Sequence, residues 1–212
     1  KDLYPSIIIG SLIPDFDLIL VAFHSFFYPI ERSLDLLYNT FSHSFFSIIF
    51  IYLIFTVISE IKDNPKYRNL GKGLCIGFLI HIICDTLLGI NGTQFLWPLP
   101  LEKFNLWNSI NIPAFYIDLL SAFEFLFLRI FAWNIINQFI IYPTGNGWYI
   151  KFITKWMKTE FLLFIVFLFI AYLDMPNFKL LMVFMYIASL FIAIVTTILM
   201  WDSISSYKKD NV

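Results

Sequence analysis

Three histidines and a handful of aspartates stand inside otherwise apolar sequence, and all three histidines fall within the first 81 residues. His24 follows the turn Pro14-Asp15-Phe16-Asp17, His43 sits in Phe41-Ser42-His43-Ser44, and His81 precedes Asp85 by four positions. Residues i and i+4 share a helix face. His81 and Asp85 can therefore hold one ion together, or the carboxylate can orient the imidazole. A buried His–Asp hydrogen bond that joins helices is the alternative. Asp15 and Asp17 follow a proline that favours a turn; one of them would serve as a helix cap, and two exceed what a cap needs. Ser42 is placed to cap the next helix and Ser44 to support His43 from behind. His24 reads equally well as an interfacial side chain with a buried ring and a wet tip. Imidazole with carboxylate suits a divalent metal, zinc first.

The elements that must position these residues are membrane helices. The 212 residues are 59% hydrophobic, 20% aromatic and only 14% charged, with a mean hydropathy of +0.78. Soluble domains carry about 25% charged residues, so this is an integral membrane protein. An aspartate at mid-bilayer costs roughly 2.5–3.5 kcal/mol on insertion scales, so a chain that keeps several uses them. The net charge of -1 gives no field for nucleic acid. The chain opens on Lys1-Asp2 without Met or a signal-peptide layout, and we expect a short segment upstream. Cys75 and Cys84, nine apart on one apolar segment, cannot bridge within a helix and read as small packing residues.

Five long apolar segments are expected as spans: 41–61, 71–90, 113–141, 161–173 and 178–201. Before them, 3–14 and 18–28 form a broken or re-entrant N-terminal region. The expected fold is an all-α polytopic bundle, one membrane-embedded domain over 1–212, with polar loops at 62–72, 91–112 and 142–159. Loop 62–72 holds Lys62, Lys66, Arg68 and Lys72, and loop 142–159 holds Lys151, Lys155 and Lys158; Lys208 and Lys209 follow the last span. Loop 91–112 has only Lys103. By the positive-inside rule the first set is cytoplasmic and loop 91–112 lies outside. Asp15, Asp17, His43, His81, Asp85 and Asp118 then all fall in the outer half of the membrane. Glu124 and Arg129, five apart, do not share a helix face and are left out of the site. Asn91-Gly92-Thr93 matches a glycosylation sequon in an outside loop, which matters only in a eukaryotic secretory pathway.

Four pieces occur in order: Gly10-Ser11-Leu12-Ile13-Pro14-Asp15-Phe16-Asp17, Phe41-Ser42-His43-Ser44, Gly77 through His81 to Asp85, and Leu96-Trp97-Pro98-Leu99. This series resembles the membrane-bound metal-dependent hydrolases, the YdjM-like or LexA-binding inner-membrane hydrolase family, over about residues 7–120. It is also similar to zinc-dependent phospholipases C. The resemblance implies metal roles for Asp15, His43, His81 and Asp85. Two departures stand out. The family's histidine upstream of the Pro-Asp turn has no counterpart here, and Asn39-Thr40 stands where a basic residue often precedes the Ser-His-Ser motif.

The expected function is a multi-pass, bacterial-type inner-membrane hydrolase with one or two divalent metals, zinc leading. The metal would acidify a water and polarise the scissile bond, with Asp17 or Asp118 as general base. A membrane-embedded site, together with the phospholipase resemblance, implies a membrane lipid or lipid-linked ester or phosphoester as substrate. Two other classes remain: a non-catalytic scaffold or regulator with a structural metal, and an ion or metal transporter.

Overall fold

The computed structural model describes residues 2–88, 92–107, 110, 112–143 and 147–206. Asn91 of the sequon, the end of the 71–90 segment, and Lys208 and Lys209 lie outside the described residues. The described chain is helical apart from turns, loops and one isolated β-bridge. The chain forms two compact units, Lys1–Asn111 and Ile112–Val212.

In the first unit, α1 (Leu3–Leu12) ends at Pro14, which opens a 3₁₀ turn (Pro14–Phe16); α2 (Asp17–His24) continues from it. Helix α3 (Ile30–Leu37) and a second 3₁₀ turn (Phe41–His43) lead into α4 (Phe45–Ile61), and α5 (Pro65–Leu88) closes the unit. The expected loop 62–72 shrinks to a turn. Asp63 takes a left-handed φ of 45° that stops α4, and Pro65 starts α5 at the position where a missing N–H costs nothing.

Helices α1 and α5 run parallel and nearly touch backbone to backbone. A Cβ on Gly10 would lie 2.3 Å from the Leu74 carbonyl oxygen, and one on Gly77 would lie 2.1 Å from that of Ile7 and 2.6 Å from Ser11 N. Both glycines are there for that approach. It carries the end of α1 to the level of His81. Helix α4 packs antiparallel on α5, with Ile48 beside Cys75 and Phe55 beside Gly71.

In the second unit, α6 (Ala114–Ile141), α7 (Gly147–Tyr172) and α8 (Phe178–Leu199) pack on one another, followed by short α9 (Trp201–Ser206). Their core stacks Phe125 on Phe167, with Tyr186 at the edge. The turn before α8 uses left-handed Asp174 and Asn177. The expected polar loop 142–159 is instead largely helix, because no breaker interrupts 147–172. Lys151, Lys155 and Lys158 fall on the exposed side of α7, while Tyr149, Ile153, Trp156 and Glu160 face inward.

Four helical runs are long and apolar enough to cross a membrane: Leu3–His24, Pro65–Leu87, Phe115–Ile141 and Phe178–Leu199. The pair Ile30–His43 and Phe45–Ile61, bent by 43°, makes a fifth if it is one span. The N-terminal region thus supplies a full-length run despite its break at Pro14. Helix α7, with its charged first half, does not join the set. Large apolar side chains such as Phe50, Phe127 and Phe169 point outward, as a lipid-facing surface requires.

Candidate metal centre

Four segments of the first unit meet at one point. The 3₁₀ turn after α1 brings Asp15, the first turn of α2 brings Asp17, the turn before α4 brings Ser42 and His43, and the end of α5 brings His81 and Asp85. The close α1–α5 contact sets the height of the first and last of these, and α4 is anchored at its start by His43.

His43 Nε2 and His81 Nε2 lie 3.1 Å apart. Asp85 Oδ2 is 3.0 Å from the first and 3.4 Å from the second. Asp15 Oδ1 is 3.5 Å from His81 Nε2, and one ligand atom each from Asp15, His43 and His81 falls within 4.8 Å of the others. Ligands bonded at about 2.0–2.1 Å to a tetrahedral ion sit roughly 3.3–3.4 Å from one another. The observed spacings of the imidazole and carboxylate atoms bracket that value.

The outer hydrogen bonds decide where the imidazole protons are. His81 Nδ1 lies 2.8 Å from the Ser11 carbonyl oxygen, which can only accept, so Nδ1 carries the hydrogen. Ser42 Oγ donates to Asp17 Oδ2 at 2.8 Å, so it accepts from His43 Nδ1 at 2.9 Å. In the neutral rings both Nε2 atoms are then lone pairs pointing at each other. They cannot hydrogen-bond, and Asp85 Oδ2, buried beside them, has no hydrogen-bond partner either. Such a set of converging acceptors is repulsive unless a metal ion or an added proton sits among them. The residues present therefore fit a metal ion: a buried Asp–His–His group could hold one, with Asp85 completing the set. The site is open on one side, since the His43 side chain is fully buried while that of Asp85 is 23% exposed.

The sequence suggests Asp17 as a general base. The structure gives it another place. Its Oδ2 accepts from Asn39 N and Ser42 Oγ and lies 3.3 Å from His43 Nδ1, and the residue is sealed from solvent. It stands behind His43, away from the open side. The two serines also exchange their expected parts. Ser44 caps α4, accepting from Phe46 N at 3.1 Å, and Ser42 supports the imidazole. Asp118 belongs to α6 of the second unit, whereas the group described here is built by the first unit alone. His24 bonds Ser33 Oγ at 2.8 Å and stacks on Tyr28, tying α2 to α3. Arg129 lies over the ring of Phe161.

Sequence reasoning overlooked the part played by segment 93–104. Phe95 and Trp97 carbonyls accept from Ser44 Oγ, and Phe95 O also accepts from Phe45 N at 2.9 Å. Gln94 N donates to Asn39 O, and Lys103 Nζ donates to the carbonyls of Asp35 and Tyr38 at 2.7 and 2.9 Å. The segment clamps both sides of the His43 turn. Burial holds the Lys103 ammonium below its ordinary pKa, partly offset by Asp35 and Asp17. The Trp-Pro strip was its only signal in the sequence.

A family model of the YdjM inner membrane proteins matches residues 1–202. The chain belongs to the YdjM inner membrane protein family. With its apolar helical runs, it is a multi-pass inner-membrane protein. No curated protein and no solved structure matches it significantly. The YdjM match spans both units, so the unit with the His–Asp cluster and the unit carrying Glu160 come as one family chain.

Proposed function

We propose that this YdjM-family protein is a metal-dependent hydrolase acting on an ester or phosphoester carried by a membrane lipid or lipid-linked molecule. One observation carries the reading: two imidazole lone pairs and an unpartnered Asp85 oxygen converge, while both Nδ1 atoms are committed elsewhere. Asp15, His43, His81 and Asp85 would hold the ion, and zinc suits that donor set. A divalent ion held there supplies Lewis acidity and an acidified water as nucleophile.

The chain's own residues do the rest. Asp17, through Ser42, fixes the ring of His43, and Ser11 O fixes that of His81; such outer partners set ligand orientation and basicity. Asp85 stands on the open side, where a carboxylate oxygen can take a proton from the incoming nucleophile. The partial opening at Asp85 and His81 favours catalysis over a closed structural site, which would keep no free position.

The test is the purified chain in mixed micelles with lipid ester and phosphoester substrates. Hydrolysis should stop with chelator and return with zinc. A protein that binds the metal stoichiometrically yet cleaves nothing in a broad panel would make the scaffold reading the better one. The sidedness is tested separately. The basic residues of 62–72 support a position of the cluster toward the extracytoplasmic face. A cysteine at Glu102 should then react with an impermeant maleimide in intact cells, and one at Asn69 should not; the reverse pattern turns the site to the cytoplasm.

A further inference from the structure

Glu160, on α7 of the second unit, is 1% exposed, the most buried carboxylic residue of that unit's described part. Its Oε1 accepts from Trp156 Nε1 at 2.5 Å and from Ser189 Oγ at 2.6 Å. Its Oε2 is buried without a hydrogen-bond partner. No ion pair to a described residue forms at it, and burial with those two neutral donors accounts for its electrostatic surroundings.

The depth follows from the helices. Glu160 stands twelve residues before Tyr172 and Ser189 eleven after Phe178, with the 173–177 turn between them. At 1.5 Å per residue both lie about 17–18 Å from that turn. Glu160 therefore stands several helical turns from the α7–α8 connection, buried against α8 at Ser189.

The charged groups on its own helix are Lys151, Lys155 and Lys158, all on the exposed side. On the elements packed on α7 they are Asp118, Glu124 and Arg129 of α6 and Lys179 of α8; Asp202 belongs to α9, which packs on α6 and α8. The Arg129 guanidinium is engaged on the ring of Phe161. A lone carboxylate at this depth, with its second oxygen unsolvated, is costly. The neutral acid fits what is seen. Oε1 accepts two hydrogen bonds, as either form of the carboxyl can, and Oε2 is the oxygen left to bear a hydrogen.

We propose that Glu160 is a proton-binding site in the helical interior of the second unit: a buried carboxylic acid that can carry a proton on Oε2, with Trp156 and Ser189 holding Oε1. Nothing in the hydrolase reading requires such a group, and the site lies wholly within the second unit.

The test uses the full chain in liposomes and dicyclohexylcarbodiimide, an apolar reagent that modifies protonated carboxyls in membranes. After digestion, mass spectrometry should find the adduct on Glu160 at neutral pH, with several-fold less at strongly alkaline pH, and none in Glu160→Gln. Infrared spectroscopy provides a reading that needs no reagent access: a protonated-carboxyl carbonyl band present at neutral pH and missing from Glu160→Gln. That variant mimics the neutral acid and should fold and melt like the wild type. The proposal fails if Glu160→Gln lacks no infrared band, if sodium or lithium at fixed pH removes the band as a bound cation would, or if Glu160→Gln is strongly destabilised, which would mean that the anion is the native form.

Discussion

In the first unit two imidazoles face carboxylates from separate segments, and each imidazole is held from behind by an acceptor. In the second unit Glu160 meets only an indole and a hydroxyl, both neutral donors to one oxygen. Both regions hold ionisable groups in a membrane protein, where an uncompensated charge is costly. A set of converging lone pairs can hold a multivalent cation, whereas a single carboxyl with two donors can take only a proton. The number of converging acceptors, more than burial itself, separates the two.

The sharpest way to break this contrast is to remove an inner ligand. His81→Ala and Asp85→Ala should each lose bound metal, with helicity retained by circular dichroism; elemental analysis of protein purified without chelator reads it. Glu160→Gln should leave metal content unchanged. If Glu160→Gln also empties the protein of metal, the two regions are coupled and the comparison collapses.

A graded effect is expected one bond further out. Asp17→Asn keeps the shape but weakens the acceptor behind His43 and Ser42, and outer partners of metal-bound histidines are typically worth 10–100-fold in affinity. Competition with a chromophoric chelator should show a loss in that range, with stoichiometry preserved at saturating metal. A complete loss would move Asp17 into the inner set; no change would deny it the orienting role.

Of the four residues that converge, His81 and Asp85 were legible from their spacing, while the metal roles of Asp15 and His43 came from the family resemblance. His81 and Asp85 share a face on any helix, and a Pro-Asp-x-Asp turn or a Ser-His-Ser strip keeps its chemistry wherever it lands. What was not legible depends on how segments cross. The exchanged roles of Ser42 and Ser44 follow from the 3₁₀ turn at 41–43, and Asp17's retreat behind His43 follows from the break at Pro14. Glu160 was passed over because three lysines made 142–159 read as a loop. The inward series Tyr149, Ile153, Trp156, Glu160 at helical spacing was the signal available. Helical content and membrane character came readily from hydropathy, whereas span boundaries shifted wherever a helix carried charges on one face only.

The α1–α5 contact offers a test of what positions the metal group. Gly77→Ala drives a Cβ into the backbone of α1 at Ile7 and Ser11. Backbone cannot yield as a side chain can, so overpacking should cost about 1–3 kcal/mol. The displaced Ser11 carbonyl should also loosen His81 and lower metal affinity. Thermal unfolding with and without chelator separates the two effects: a lower melting temperature in both conditions, and a smaller shift between them than the wild type shows. An unchanged chelator shift would mean that the α1–α5 approach serves packing alone.

The smallest effect concerns Lys103, which holds the His43 turn through two backbone carbonyls. Its folded pKa is depressed, chiefly by burial. Below that folded value the ammonium is present in folded and unfolded chains alike, and the desolvation cost is constant. Between the folded value and the ordinary one near 10.4, the unfolded chain binds a proton that the folded chain has released. Stability then rises with pH across that alkaline window. A neutral amine still has two hydrogens, enough to donate to both Asp35 O and Tyr38 O, so the clamp persists through the change. Lys103→Met removes clamp and titration together. The stability of the wild type relative to Lys103→Met, from thermal unfolding in detergent across neutral to alkaline pH, should therefore increase with pH. A relative stability that falls over the same range would mean that the folded protein favours the ammonium, and that Asp35 and Asp17, rather than burial, set the character of this clamp.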